Sequence, residues 1–337
     1  MNAAAKNYDG VNKYIRITDI DEASSTYIDK DIVSPDDVLT DNYLVNNRDI
    51  LLARTGASTG KSYLYKKSDG KLYYAGFLIR ANVTTHDPYF VFSQLHTHRY
   101  WRWVYIMSAR SGQPGINSQE YSSFPIYTTS IEEESKIAKL LSLLDERIAT
   151  QNKIIDKLQS LIKGIGKQLF MDNQNWRTVK IGELLRIGNG KDYKHLSIGK
   201  IPVYGTGGQM LLVNDYLYDG ESVCIGRKGT IDTPMFLKGK FWTVDTLFYT
   251  YDFKDVLPKF CYYLFLQINW KLYNEGTGVP SLSKSTIENI KVKIPSIEQQ
   301  HNICSVLDCY EHKTKSEEQI LELYLSEKQY LLRQMFI

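Results

Sequence analysis

The stretch from Gly56 to Ser62, Gly-Ala-Ser-Thr-Gly-Lys-Ser, is the part of the chain that most resembles a phosphate-binding loop. Such a loop places four residues between its first glycine and the Gly-Lys pair, and it continues into a helix whose N-terminus meets the phosphates. Here only three residues lie between Gly56 and the pair Gly60-Lys61, and the pattern of residues 62–74 predicts a strand, a turn and a strand. We therefore predict no nucleotide site, and a nucleotide-dependent enzyme is the weakest hypothesis for the function.

A second loop shares the feature of this one that could bind an anion. Arg54-Thr55-Gly56 and Arg227-Lys228-Gly229 each follow a strand-like run and precede small polar residues. An arginine on a tight turn can offer its guanidinium group to phosphate oxygens or to the edge of a guanine. The alternative is an arginine that pairs with a carboxylate of its own domain.

Neither metal ligation nor disulfide bonding is indicated. His96 and His98 could belong to a metal site, but the neighbouring sequence holds no cluster of further ligands. The cysteines form no Cys-x-x-Cys pair, so they predict neither a zinc ribbon nor a disulfide framework. They are Cys224, Cys261, Cys304 and Cys309.

The composition is that of an ordinary globular protein. The 337 residues suffice for two domains, and 43% of them are hydrophobic. A net charge of +3 and 25 tyrosines are compatible with nucleic-acid binding without indicating it. No apolar run approaches the roughly 18 residues of a membrane helix, and the first residues lack the apolar core of a signal peptide. We therefore expect a cytoplasmic protein with no membrane partner.

The chain repeats itself at a constant offset of 166 residues, without a gap. Such self-similarity is the sequence signature of a duplicated architecture. Turn residues, apolar residues and the ends of the two copies all match, as in Gly112 with Gly278, Pro114 with Pro280, Leu141 with Leu307, and 167–170 with 333–336.

Each copy ends in a long helical pattern that carries a heptad seam. In the first copy, Gln151 fills the one gap in the seam, and Glu132, Glu133 and Glu134 occupy the first turn, where they suit the helix dipole. The apolar seam residues are Ile137, Leu141, Leu144, Ile148, Ile155, Leu158, Ile162, Ile165 and Leu169.

The second seam is weaker, because Thr314, Glu317 and Lys328 interrupt it. A long amphipathic helix needs a partner for its apolar stripe. We therefore expect the two long helices to pair as an antiparallel coiled coil; the alternative is that each helix packs on its own domain. The apolar seam residues of the second copy are Ile303, Leu307, Tyr310, Leu321, Tyr324, Leu331 and Met335.

The block ahead of each long helix is rich in Tyr, Val, Ile and Thr with Gly and Asn breaks, which is typical of a mainly β domain. One helix is expected inside each block, over residues 87–105 and 257–273. We predict an α+β protein with a pseudo-twofold internal repeat, in which two mainly β domains alternate with two long helices. The expected boundaries are 1–130 and 173–295 for the domains, and 131–172 and 296–337 for the helices.

With these features the chain resembles the specificity (S) subunits of type I restriction-modification systems. The first block contains "YIRITDI", "DILLARTG" and "GQPGINSQEYSSFPI" in the order of one type of target-recognition domain. The second contains "IPVYGTGG", "YLYDGESVCIGRKGTID", "FWTVDTLFY" and "GTGVPSLSKSTIENIKVKIPSIEQQHNI", which look like another type. The helix "IAKLLSLLDERIATQNKIIDKLQSLIKGIGKQLF" is similar to the central helix of the family, so the resemblance covers nearly the whole chain.

The resemblance implies a DNA-binding subunit that makes no bonds itself. Proteins of this family read a bipartite site in double-stranded DNA, one half with each recognition domain, and their paired helices fix the gap. They recruit two methyltransferase (M) subunits and, through them, the restriction (R) subunits. S-adenosylmethionine, ATP and Mg are therefore expected on partner subunits only. The sequence also lacks a glycine-rich S-adenosylmethionine loop followed by Asn-Pro-Pro-aromatic.

Loop position and side-chain chemistry give the candidate DNA contacts. Asp245 is expected to be a turn residue or a buried acceptor, and Pro114 and Pro280 to shape a turn. The candidates in the first domain are Arg54, Thr55 and Lys61. Those in the second domain are Lys191, Tyr193, Tyr204, Thr206, Gln209, Arg227, Lys228 and Lys284.

The two domains begin differently. About 25 residues from Trp176 precede Ile201 in the second domain, whereas 13 precede Tyr14 in the first, so the first domain is expected to lack an opening strand.

The rival hypothesis is a coiled-coil scaffold with two β-rich modules that bind protein or glycan. That rival predicts no salt-dependent affinity for DNA.

Overall fold

A computed structural model of the chain describes residues 1–109, 112–171 and 175–336. The chain forms two compact units. Unit 1 comprises Met1–Asn152 together with Gln319–Ile337, and unit 2 comprises Lys153–Glu318. The dividing points lie inside the two long helices, and the predicted boundary between residues 172 and 173 lies outside the described residues.

Short strands and helices precede the first long helix. The strands are β1 (Ala4–Asn7), β2 (Asn12–Ile15), β3 (Val33–Asp36), β4 (Asp49–Ala53), β5 (Ser62–Leu64), β6 (Lys71–Tyr74) and β7 (Leu78–Asn82). The helices are α1 (Pro88–Gln94), α2 (His98–Met107) and α3 (Ser118–Ser122), and the first long helix is α4 (Ile131–Met171).

The second half of the chain has longer strands. They are β8 (Arg177–Lys180), β9 (Arg186–Asn189), β10 (Ile198–Gly205), β11 (Gly208–Val213), β12 (Tyr218–Gly226), β13 (Met235–Thr243), β14 (Leu247–Tyr251) and β15 (Lys291–Ile294). The helices are α5 (Ile181–Leu184), α6 (Pro258–Gln267) and α7 (Lys284–Asn289), and the second long helix is α8 (Ile297–Met335).

The prediction of a single helix over residues 87–105 is wrong, because two capped helices lie there. Asp87 begins α1, and the hydroxyl of Thr97 accepts a hydrogen bond from the Tyr100 amide to begin α2. A threonine side chain that satisfies a free N–H group marks a helix start, so the chain turns between α1 and α2. In the second block α6 ends at Gln267, and a short 3₁₀ turn follows at Trp270–Tyr273.

In unit 1 the sheet next to the arginine loop has the order β5-β4-β7. All five residues of the central strand β4 are buried. Both neighbours are antiparallel to β4. The strands that follow Gly60 confirm the strand, turn and strand prediction, because β5 is joined to β6 by a 3₁₀ turn at Lys67–Asp69.

Unit 2 contains a six-stranded sheet with the order β11-β10-β13-β12-β14-β9. The ends of β12 and β14 are joined by the pairs Ile225 with Phe248 and Gly226 with Leu247. A separate pair, β8 with β15, is antiparallel. Residues 125–128, which match β15 at the repeat offset, form no strand.

The long helices run antiparallel within each unit. In unit 1 the start of α4 meets the end of α8, since Leu141 and Leu332 share a buried cluster and Lys328 Nζ lies 2.6 Å from Asp145 Oδ1. In unit 2 the end of α4 meets the start of α8, since Phe170 and Leu307 share a core. The antiparallel pairing predicted from the seams is therefore confirmed.

Each of the predicted coiled-coil residues is buried or half-buried. Leu141, Leu144, Ile155, Ile303 and Leu307 are buried, and Ile137, Ile148, Leu158, Leu321 and Leu331 are half-buried.

A buried polar residue near the start of each long helix anchors the block of short strands and helices that precedes it. Glu134, which is 0% exposed, accepts a hydrogen bond from the Asp87 amide at 2.9 Å. At the matching position, Gln300 accepts one from the Leu257 amide at 2.8 Å. Each anchor therefore satisfies an N–H group at the start of α1 or α6 that has no partner within the helix.

We expect Glu134→Ala to lower the free energy of unfolding by about 1–3 kcal/mol, because it removes the acceptor of the half-buried Asp87 amide and the partner of His86 Nδ1, 2.9 Å away. Glu134→Gln should lower the free energy of unfolding by less, since the glutamine at position 300 accepts the matching amide hydrogen bond. Glu132→Ala, in the same turn but exposed, is the matched control. Urea denaturation measures all three, and equal stability of Glu134→Ala and Glu132→Ala would contradict the anchor.

Candidate nucleic-acid interface

In unit 2 the Arg227–Gly229 loop is hydrogen-bonded to two other loops. The Arg227 amide donates to Thr246 O at 2.8 Å, in the turn between β13 and β14. The Gly229 amide donates to Pro280 O at 2.8 Å, and the Leu282 amide donates to Arg227 O at 2.9 Å. We call Arg227–Gly229, Asp245–Thr246 and Pro280–Leu282 the three-loop cluster of unit 2.

Unit 1 contains the same arrangement. The Arg54 amide donates to Phe77 O at 3.0 Å, in the turn between β6 and β7. The Gly56 amide donates to Pro114 O and the Ile116 amide donates to Arg54 O, both at 2.9 Å. The three-loop cluster of unit 1 is therefore Arg54–Gly56, Gly76–Phe77 and Pro114–Ile116.

Sheet register brings the loops of each cluster together. Ala53, the last residue of β4, pairs with Leu78, the first of β7, and Gly226 pairs in the same way with Leu247. The residue after the first strand and the residue before the second must then be neighbours, because antiparallel strands run in opposite directions. The arginine and the adjoining turn therefore lie side by side in both units.

A glycine is required in the loop of unit 1. Gly56 has φ of +72°, and a Cβ atom there would lie 2.9 Å from the Gln113 side-chain nitrogen. Other residues rarely adopt this backbone conformation. The shared Arg-x-Gly spacing thus fixes the arginine next to a turn that only glycine makes without strain.

The two arginines are available to a ligand. Arg54 and Arg227 are exposed, and within the described ranges neither forms an ion pair with a carboxylate. One guanidinium nitrogen of Arg227 donates to the main-chain oxygen of Asp245 at 3.5 Å. The alternative of a carboxylate partner inside the same domain is therefore not what the structure shows.

The cluster of unit 2 borders a cavity of about 840 Å³ that gathers three predicted cationic contacts. Arg227, Lys228 and Lys284 line it together with Asp245 and Ser283. Ser283 is the N-cap of α7, and Lys284 is its first residue. The lining also includes the carboxylates of Glu275 and Glu288, so the cavity offers cations for phosphate oxygens together with hydroxyls and acceptors for base edges.

Glu275 holds the α7 end of this cavity in place. It accepts hydrogen bonds from the hydroxyls of Thr286 and Ser283, and these bonds hold the pKa of Glu275 below its usual value. The carboxylate is thus occupied by its own unit and positions the start of α7.

The other predicted contacts of unit 2 divide into two groups. Thr206 lies near the cluster, because its Oγ1 is 3.7 Å from the place of a Cβ atom on Gly229. Tyr193 and Tyr204 are half-buried against the core that contains Val203. Lys191 and Gln209 are exposed, Lys191 two residues after the end of β9 and Gln209 opposite Tyr204 in the β10–β11 pair.

The predicted contacts of unit 1 differ in availability. Thr55 is half-buried and forms an isolated bridge with Gly115 inside the cluster. Lys61 Nζ lies 3.1 Å from Glu22 Oε2, and its side chain is only 17% exposed. Arg54 is thus the most accessible of the three.

Sequence reasoning missed the turn that adjoins each arginine. Phe77 was not considered, and Asp245 was expected in a turn or as a buried acceptor; it lies in a turn but is exposed. The repeat offset could not reveal the match, because Phe77 and Thr246 are separated by 169 positions rather than 166. Only the strand pairing shows that they correspond.

Two further properties of the described ranges bear on function. They hold no group of three or more His, Cys, Asp or Glu side chains placed to bind a metal ion. They also contain no helix of the length and apolarity needed to cross a bilayer.

Comparisons with known proteins agree on one family. The family described as "Type I restriction modification DNA specificity domain" matches residues 1–160 and 173–323. The type I restriction enzyme MjaVIII specificity subunit of Methanocaldococcus jannaschii is 24% identical over 334 residues, covering 82% of this chain and 76% of the relative.

Two solved structures share the fold. An S subunit of a type I restriction-modification system from M. genitalium has a TM-score of 0.67 at 17% identity, covering 100% of this chain and 93% of that one. A structure solved to explain complex assembly and conformational transition of the type I R-M system has a TM-score of 0.59 at 13% identity, covering 95% and 90%.

Proposed function

Because the chain belongs to the type I restriction modification DNA specificity domain family, we propose that it is the specificity subunit of a type I restriction-modification complex. It reads a two-part DNA site, one half with each unit. The observation that carries the proposal is the duplicated three-loop cluster, which presents an exposed arginine at the same place in both units. Two copies of one binding element suit a target made of two half-sites.

The basic side chains of each cluster position the protein on the DNA backbone. Arg227, Lys228 and Lys284 surround one cavity in unit 2, and Arg54 serves the corresponding role in unit 1. Contacts of this kind release counterions, so affinity falls as salt rises. Base contacts then select the sequence.

The chain contributes recognition rather than chemistry. Methylation of adenine is carried out by two M subunits, which bring S-adenosylmethionine, and cleavage by R subunits, which bring the need for ATP and Mg. The complex works in the cytoplasm, where the chromosome lies. The scaffold alternative finds no support in the matched family or in the relatives named above.

The two M subunits dock on the outer faces of the long helices. Apolar residues are exposed there at matching places in the repeat, Leu140 and Val306 at 46% and 42%, and Ile154 and Ile320 at 38% and 36%. Their recurrence at the same places in both copies supports a surface for a protein partner. Each unit carries one residue of each matching pair, which fits two copies of the same partner.

Modified-base sequencing of the source genome, with and without the gene for this chain, tests the proposal. We expect loss of N6-methyladenine at one interrupted two-part motif when the gene is deleted. An unchanged pattern, together with no salt-dependent affinity of the purified chain for DNA, would contradict the proposal and favour the scaffold.

A further inference from the structure

The turn beside each arginine makes the same backbone hydrogen bond in the two units but carries different side chains. Phe77 O and Thr246 O accept the amide hydrogen of Arg54 and Arg227, respectively. Gly76 and Asp245 precede them. Unit 1 therefore presents an aromatic ring at this turn, and unit 2 presents a carboxylate and a hydroxyl.

Both side chains are exposed, and among the described residues neither is tied to its own unit by a buried cluster or a side-chain hydrogen bond. Phe77 is 59% exposed and belongs to none of the buried clusters. Asp245 is exposed, and within the described ranges its carboxylate accepts no hydrogen bond, since Arg227 donates to its main-chain oxygen. An exposed ring offers an apolar face to a ligand, and a carboxylate that accepts no hydrogen bond offers both its oxygens as acceptors. Both side chains are therefore free to contact a ligand that approaches the arginine beside them.

We propose that these turns are base-reading elements: Asp245 accepts a hydrogen bond from the exocyclic amino group of a base in the half-site of unit 2, and Phe77 makes the apolar contact with a base in the half-site of unit 1. The inference rests on the proposed function. A carboxylate can only accept, so its partner on a major-groove base edge is the N4 amino group of cytosine or the N6 amino group of adenine. The ring suits the methyl group of thymine.

The geometry places the readers beside the residues that position the backbone. Asp245 and Arg227 line one cavity, and the guanidinium nitrogen of Arg227 is 3.5 Å from the Asp245 carbonyl. The turn is held by buried residues on both sides, Val244 at 8% and Leu247 at 0% exposure. A reader on a rigid turn between two strands keeps its direction without ordering a loop on binding. Different readers on one frame would let the two units select different half-sites.

The test is the methylation pattern made by the complete chain with its M subunit in a host that lacks the system. With Asp245→Asn, we expect one position in one half of the motif to lose its base requirement, with discrimination there falling by about 10- to 100-fold. The base that the wild-type motif requires at that position shows whether cytosine or adenine is read. Phe77→Ala should change one position in the other half only.

Matched variants separate base reading from general effects. Asp219→Asn removes an exposed carboxylate near the opposite end of β12, and Tyr105→Ala removes an aromatic ring that is 80% exposed. Both should leave the motif unchanged. Melting temperatures of all four variants should match the wild type, because every altered side chain is exposed.

The outcomes distinguish this inference from the proposed function. If the wild-type chain directs methylation to a two-part motif and both turn variants keep that motif, the inference is overturned and the function stands. A uniform loss of methylation at all sites, with no position relaxed, would also overturn it. If the wild-type complex methylates no two-part motif, the proposed function itself fails.

Discussion

Replacing Arg54 and Arg227 together by alanine should lower the affinity for the two-part DNA site by about 30-fold to 25,000-fold, since each DNA-contacting arginine contributes about 1–3 kcal/mol. Both side chains are exposed at the same place in a three-loop cluster, and neither has an ion pair among the described residues. Losses at sites without shared partners add. Fluorescence anisotropy with a labelled duplex that carries the motif measures the single and double variants.

The salt dependence of the same measurement tells phosphate contact from base contact. If an arginine touches phosphate, its removal should weaken binding to all sequences and lower the salt slope by about one. If the arginine contacts a base, the salt slope should be unchanged and the preference for the motif over other sequences should fall.

A double variant of Arg80→Ala and Arg186→Ala is the control. Arg80 lies within β7 and donates to Leu44 O at 2.9 Å, and Arg186 lies at the start of β9, 3.8 Å from Asp252. The double variant should bind DNA with nearly the wild-type affinity at physiological salt. Normal affinity of Arg54→Ala with Arg227→Ala would remove both residues from the interface.

Replacing Leu307 by alanine should lower the free energy of unfolding of unit 2 by about 2–5 kcal/mol, the range for a leucine deleted from a packed core. Leu307 lies on α8, is 1% exposed, and shares a core with Phe170 of α4 and Phe260 of α6. The cavity would open where the helix pair meets the recognition block. DNA binding by unit 2 should weaken in parallel, because the three-loop cluster is carried by the sheet beside that core.

Hydrogen exchange followed by mass spectrometry is the measurement, because two compact units need not unfold together. Exchange should rise in unit 2 and change little in unit 1. Leu323→Ala, on the same helix but 68% exposed, should alter stability by no more than about 0.5 kcal/mol. Equal hydrogen exchange of unit 2 in the two leucine variants would contradict the predicted loss of stability.

The long helices were predictable because their signal is local. A heptad seam repeats every few residues along the chain, so the sequence alone places α4 and α8 and their paired faces. The burial of Leu141 and Leu307 follows directly from that period. The apparent break in the second seam was less informative. Thr314 is 7% exposed, and Lys328 is 19% exposed and 2.6 Å from Asp145, so both polar residues lie in the seam.

The arginine loops were predictable for a different reason. An Arg-x-Gly turn after a strand occurs in both halves of the sequence, and comparing the halves separates it from the nearby Gly60-Lys61. The caps that split residues 87–105 into two helices were also present as residue types, at Asp87 and Thr97. Tertiary packing decided that Thr97 acts as a cap, because its hydroxyl is buried against the Tyr100 amide.

By itself, the sequence determined the duplicated plan of the chain, its two paired helices and the arginines at two strand ends. It could do so because periodicity, repeat offset and turn residues are properties of neighbouring positions. Only the tertiary structure decided that Phe77 and Asp245 stand beside those arginines and that Pro114 and Pro280 close each cluster. Those residues are distant along the chain, and the register of antiparallel strands that joins them depends on hydrogen bonds between segments whose pairing no local pattern specifies.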